Sequence, residues 1–452
     1  MINGATASAS TTHKAGNDFE LTVSAYNSLG VITPNYSPGQ IQFKLERTGP
    51  TLSGSIDGNL TYASASWLAT STNPVFQNAR LSRFSSGVYS YSAAQYSEVG
   101  LLNLDVQDNN YGNAGIVIPA DAINIGRFIP DHFEQTIAED GYFWSTCNTG
   151  TTFAYSGQKD EATESIGAIS YLTNPVLAIT AYNKQGVITQ NYYQNSQGSL
   201  NDFMKLNPSD LSITTPTQDE VATGIDTNKL PLTANMNVGN LSQNDLTELP
   251  NIVNLPKGVL HYQLSDNDNF FYNRSANALV APFISDIDFT VDNIIDTDSV
   301  NVTSTVDASP TGLEIRVGRL LIENSFGPET SNLVVPMKIE HFDGVNFVLS
   351  SNNYCVSYDA SKMSLSNITL NPALTNVLGS SGLFYAGKTR EIRLEKTGTG
   401  NRGEIGVSYD IYDWLKFDWD NDGLHNDNPS SITTFGVYRG NDRIISWREV
   451  FN

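Results

Sequence analysis

Apolar residues along this chain recur with a period of two. FELTVS (19–24), VLAIT (176–180), LVVPMKIEHF (333–342) and EIGVSYDI (404–411) each put alternate side chains on one face, the signature of half-buried strands. Polar runs rich in Asn, Gly and Asp interrupt them, and NFVLS (346–350) returns after the turn Asp343-Gly344. EIRLEK (391–396) and EIGVSYDI flank TGTGNRG, a composition that predicts a hairpin. No long segment shows a 3.6-residue period, although SQNDLTELP (242–250) suits a short helical turn. The pattern predicts an all-β chain of tandem β-sandwich modules in series, with few short helices.

An internal repeat sets the module count. AYNSLGVITPNY (25–36) returns as AYNKQGVITQNY (181–192), identical at nine of twelve positions with an offset of 156. Each copy predicts a strand, a turn through Asn and Gly, and a second strand Val-Ile-Thr. Phe43-Lys44-Leu45 is echoed by Met204-Lys205-Leu206, and INIGRF (123–128) by IRVGRL (315–320), where the offset has grown to 192. The second module therefore carries an insertion, placed near 207–256. The expected organisation is a β-sandwich over 1–133, a homologous β-sandwich over 134–328, and a C-terminal β domain over 329–452.

Composition narrows the setting. Charged residues make up 16% of the 452, and the balance of 25 Lys+Arg against 47 Asp+Glu gives −22. A field of that sign repels phosphate backbones and anionic membrane surfaces, so nucleic acid is not an expected partner, whereas cations are concentrated. Asn, Ser, Thr and Gly dominate the polar surface, the look of an extracellular β protein. No apolar run approaches a membrane helix. The start, MINGATASAS, lacks the basic-then-apolar pattern of a signal peptide and reads as a cut within a linker of a longer secreted protein. Cys147 and Cys355 fit either a long-range disulfide or two separate thiols.

The densest chemistry is FDWDNDGLHNDNP (417–429). Asp418, Asp420 and Asp422 stand at alternate positions, Gly423 permits a tight bend, and the next residue, Leu424, offers its carbonyl. A hard cation such as Ca²⁺ needs six to eight oxygens, and this spacing curls three carboxylates toward one centre. A regular EF-hand would place an acid at 429, where Pro429 stands, so Asp427 is the expected last ligand. Trp419, between two ligands, is expected to point into the core instead. A solvated acidic turn is the plain alternative. No nucleophile or base pattern stands beside the aspartates, G-x-S-x-G is absent, and His13, His132, His261, His341 and His425 are scattered. The chain therefore reads as no enzyme. Arg439, Arg443 and Arg448 interleave with Asp442 and Glu449 near the end, as on a salt-bridged hairpin or a partner-docking edge. Trp67, Trp144, Trp414, Trp419 and Trp447 fit core or rim positions better than a sugar-stacking platform.

WLKFDWDNDGLHNDNPSSITTFGVYRGNDRIISWREVF (414–451) resembles the conserved C-terminal domain of the MshQ-like family, encoded with the mannose-sensitive haemagglutinin type IV pilus. IGRFIPDHF (125–133), FAYSGQ (153–158), AYNKQGVITQNY and HFDGVNFVLSSNNYC (341–355) follow in the family's order, although Ser156 stands where methionine is expected. The likeness covers about 125 to the end, and the first module looks like an added copy of the hairpin unit. The resemblance implies a secreted, pilus-associated protein of a Gram-negative bacterium, an adhesin or a tip or biogenesis scaffold, with pilin or minor pilin subunits as partners. It brings no catalytic residues. The expectation is thus an extracellular scaffold with a calcium-stabilised C-terminal domain, with surface glycans or other cell-surface receptors as further candidate partners. A carbohydrate-binding or carbohydrate-cleaving secreted β-protein is the alternative.

Overall fold

A computed structural model describes residues 13–436, apart from 52–53, 82, 146–152, 160–166, 193–202, 207–211, 214–216, 219–233, 238–241, 244–256, 265–267, 286 and 293. Cys147, most of the expected insertion and the arginine-bearing stretch 437–452 lie outside the described residues. The fold is all-β; the helical elements among the described residues are three single 3₁₀ turns, Ala360–Lys362, Pro372–Leu374 and Asp413–Leu415. Only Ser242–Gln243 of the suggested helical turn at 242–250 is described, and it is a strand.

Period-two patterning builds the first sandwich. In Ile41–Gly49 every second residue is buried, so Ile41, Phe43 and Leu45 face the core while Gln42, Lys44 and Glu46 lie toward solvent. That strand pairs antiparallel with Gly100–Tyr111, which also carries Ile123–Ile129 and Ile116–Pro119. The facing sheet runs Phe19–Ser24, Val88–Tyr96, Asn59–Tyr62, Ala65–Leu68. Trp67 stacks on Tyr62 between the sheets at 4.4 Å and donates to the Asn78 carbonyl, a core use of the ring. Trp414 is likewise buried.

Three apolar clusters follow along the chain. The first joins residues from Phe19 to Phe128 and the second centres on Phe133, Ile179, Tyr262 and Phe270. The third joins Leu320, Met337, Ile405 and Phe435. The clusters share strands at their borders. Leu101 and Ile129, on first-module strands, and Val99, in the bend before Gly100–Tyr111, belong to the second cluster, and Phe153 and Tyr155 belong to the third. Strand Phe153–Tyr155 alternates between two cores, with Ala154 on the second cluster and its flanking aromatics on the third.

Two local expectations change. Val-Ile-Thr of each repeat forms one bridge, Tyr26 to Ile32 and Tyr182 to Ile188, rather than a strand. The Asn27 and Asn183 side chains capture the N–H groups that a ladder would use. TGTGNRG is also not a hairpin. Arg393–Leu394 pairs with Leu333–Val334 and Val377–Leu378, whereas Gly403–Tyr409 pairs with Met363–Asn367 and Ser430–Phe435, so the loop crosses between sheets. Buried Glu329 holds that crossover, its carboxylate accepting from Arg402 Nε at 3.0 Å and its carbonyl from Gly398 N–H at 2.9 Å. Asp343-Gly344 does turn a hairpin, with Phe342 opposite Phe347.

Candidate metal centre

The acidic loop leaves the 3₁₀ turn Asp413–Leu415 and rejoins the sheet at Ser430–Phe435. Its neck is closed by reciprocal bonds between the Phe417 and Asp427 backbones, 3.2 and 3.1 Å. Inside the neck, Asp427 Oδ2 accepts from the N–H groups of Trp419 (2.9 Å) and Asp420 (3.2 Å). Asp418 Oδ2 accepts from Gly423 N–H at 3.2 Å, and Asp420 Oδ1 from Asp422 N–H at 3.0 Å. Gly423 sits at φ +90° and Asn421 at +61°, the left-handed bends that close so short a loop.

Asp418, Asp420 and Asp427 thereby bring one carboxylate oxygen each to within 4.8 Å of one another. Asp422 is not in that group; its carboxylate accepts from Leu424 N–H at 2.7 Å. Asp418 Oδ1 is enclosed and has no hydrogen-bond partner, an uncompensated acceptor of the kind a cation satisfies. The Asp422 N–H bond pulls the Asp420 carboxyl down, but desolvation and the charges of Asp422 and Asp427 outweigh it and leave its pKa raised. The donor set is all oxygen and all anionic, which fits a hard divalent cation. Trp419 packs its ring on Phe417 (5.5 Å) and beside the Arg319 guanidinium (5.1 Å), which also lies over Phe347 and bonds Glu340.

Residues 98–316 match DUF6701, third domain, and residues 316–450 match DUF6701, fourth domain. This chain carries the third and fourth domains of the DUF6701 family. No curated protein matches it. Among solved structures it is similar to FdeC, an adhesin of Escherichia coli, at 10% identity over 94% of both chains with a TM-score of 0.30. Titin domains I67–I69 match at 6% identity over 94% of both chains (TM-score 0.21). The BSP domain of a biofilm-associated protein matches at 6% over 96% of this chain and 84% of that one (TM-score 0.17).

The acidic loop thus belongs to the fourth DUF6701 domain, but it is bolted to the third. Arg274 donates Nη1 to the Trp414 carbonyl (3.0 Å) and Nη2 to those of Gly318 (2.9 Å) and Lys416 (2.8 Å). His425, inside the loop, donates its backbone N–H to the Ala276 carbonyl at 2.6 Å and stacks on Phe417 at 4.9 Å. Burial and then the Arg274 charge lower the His425 pKa. Tyr155 stacks on Trp414 at 5.4 Å and accepts from Asn353 Nδ2 at 2.8 Å. Arg274 carries no motif, because its acceptors are backbone carbonyls, and sequence reasoning passed over it.

Proposed function

We propose that this chain is an extracellular, adhesin-like scaffold of β-modules in series whose C-terminal domain is rigidified by calcium. Asp418, Asp420 and Asp427 supply the first oxygens, with the Leu424 carbonyl and, after a small loop adjustment, Asp422 completing the shell. One observation carries the reading. The converging carboxylates sit on a loop whose backbone is tied across a joint between modules, so a cation there stiffens a mechanical connection. The resemblance of 414–451 to the MshQ-like family supports a finer assignment: association with a type IV pilus of a Gram-negative bacterium, with pilin or minor pilin subunits as partners and surface glycans as candidate receptors. No turnover is part of this reading.

We also propose that Cys147 and Cys355 form a disulfide, in keeping with an oxidising compartment; no described cysteine is a free thiol. Calorimetric titration of the chelator-stripped chain with CaCl₂ tests the metal centre. One equivalent of heat and a higher melting temperature are expected, both lost in Asp420→Ala. A melting curve indifferent to EDTA and to added Ca²⁺ removes calcium from the proposal. For the pilus role, deleting the protein from piliated cells is expected to reduce attachment, and unchanged attachment with normal pili overturns it.

A further inference from the structure

The repeated hairpin is one object seen in two settings. In both copies the Asn side chain accepts the N–H groups two and four residues on, at 2.9 and 3.0 Å for Asn27 and 3.0 and 3.0 Å for Asn183. The Thr hydroxyl bonds back to the Ala carbonyl, Thr33 to Ala25 at 3.0 Å and Thr189 to Ala181 at 3.1 Å. The closing Tyr donates to an aspartate, Tyr36 to Asp108 at 2.7 Å and Tyr192 to Asp296 at 2.9 Å.

The second copy is an established joint. It presses against the base of the first module. Lys184 N–H donates to the Ala15 carbonyl at 2.9 Å, Gln185 Nε2 to Gly16 at 2.6 Å, and Asn183 Nδ2 to Ser97 at 3.1 Å. Glu98 accepts from the N–H groups of Gln190 (3.0 Å) and Asn191 (3.1 Å), while the Asn191 amide pairs with both backbone groups of Ile56. Asn183, Thr189, Asn191 and Tyr192 are accordingly buried.

The first copy presents the same surface to solvent. Asn27 and Asn35 are exposed, and apolar side chains crown the turn, with Leu29 at 85% exposure, Tyr26 at 61% and Val31 at 58%. Beside it lies a groove of about 800 Å³ walled by Tyr36, Phe84, Tyr111 and Asp108. An exposed apolar crown on an otherwise polar loop marks a contact surface.

We propose that this end of the first module is a docking face for the base of another β-module of the same repeat type, seated as the first module sits on the second module's hairpin. The inference is independent of the adhesion and calcium readings. Two substitutions between the copies define the occupant. Leu29 replaces Gln185, so the opposing base is apolar where Gly16 offers a carbonyl. Pro34 replaces Gln190 and has no N–H, so the opposing carboxylate receives one donor fewer than Glu98. The first module's own base matches neither requirement, and it is already covered by the second module. A second copy of this chain is therefore not the occupant.

Photocrosslinking in the protein as its own cells make and display it tests this, with p-benzoylphenylalanine placed at Leu29 or, as an internal control, at Gln185. The control is expected to link to the peptide containing Ala15–Gly16. The Leu29 probe is expected to link to a peptide from a β-module that itself carries an Asn-x-x-Gly-Val-Ile-Thr hairpin. Asn35→Ala is expected to lower that yield about fivefold, as loss of the paired amide would, and to leave the Gln185 link unchanged. A link to residues 1–452 of a second copy, a link to a protein without such a module, or no link where Gln185 reports normally, as for a glycan cleft, overturns the proposal.

Discussion

Arg274 shows how much one side chain can hold. Two of its nitrogens satisfy three carbonyls drawn from two segments of the C-terminal module, Gly318 on one and Trp414 and Lys416 on the other. Burial lowers its pKa to about 10, so it stays charged at neutral pH. Gly157 makes room beside it: a Cβ there would meet the Arg274 and Trp414 Cβ atoms at 3.0 and 3.3 Å, and its φ of +79° suits glycine. Arg274→Met keeps the apolar stem and strands the carbonyls, at an expected cost of about 2–4 kcal/mol. Denaturant unfolding should show the loss. Hydrogen exchange should show faster opening at His425, whose N–H bond to Ala276 depends on the same contact, with exchange at Phe43 and Leu45 unchanged. Nothing in YNRSAN announces this role. Side chains that recognise one another leave paired signatures in sequence, whereas a guanidinium that recognises backbone leaves none.

At the scale of elements, the hairpin was legible because Asn at the corner and Gly at a left-handed position are the residues the turn demands. Gly30 and Gly186 both sit at φ +72°. A third instance was hidden by equivalent chemistry. Asp296 Oδ1 accepts from Asp298 and Val300 N–H, both at 2.9 Å, and Ser299 takes φ +63°. Asp does the work of Asn and Ser that of Gly, which erases the letters and keeps the physics. This third turn also faces the first module, where Asp298 is gripped by both terminal nitrogens of buried Arg127. The same substitution in the two Asn-bearing copies separates turn from joint. Asn27→Ala, on an exposed turn, is expected to cost about 1 kcal/mol, and Asn183→Ala, which also strands the Ser97 carbonyl, about 2–3 kcal/mol, both read by thermal unfolding of the whole chain. The joint should also respond to pH. Desolvation raises the Glu98 pKa to about 7 against the N–H bonds that lower it. Below an ordinary carboxyl value, near 4.5, the group is protonated whether folded or unfolded, and the stability is complete. Between there and pH 7 only the unfolded chain releases the proton, so stability falls as pH rises and levels off above 7. The change is about 3 kcal/mol at most. Glu98→Gln should flatten that part of the stability–pH curve, measured as urea midpoints from pH 4 to 8.

On the scale of the whole molecule, the modules are not beads on flexible linkers, because strands and cores run through both joints. Val99, Leu101 and Ile129 carry the first module into the second core, and Phe203 packs where a Cβ on Gly49 would meet its ring at 2.6 Å. Phe153 and Tyr155 carry the second module into the third core. Period-two patterning made the sandwiches legible but not this continuity, since alternation marks which face is buried and is silent on which core receives it. Nor did spacing alone place Asp422, whose carboxylate turns to Leu424 N–H. The proposed Cys147–Cys355 bond would lock the second joint, closing a loop of 207 intervening residues. Chain entropy alone assigns such a closure about 5 kcal/mol. Because the bond spans only the second and third modules, its reduction should act locally. In a calorimetric scan with and without reductant, the transition containing the second and third modules is expected to move to lower temperature while that of the first keeps its place. If the proposed calcium site and disulfide both act at this joint, added Ca²⁺ is expected to restore part of the loss. Equal melting curves for oxidised, reduced and Cys355→Ser chains would mean that Arg274 and the shared core hold this joint unaided.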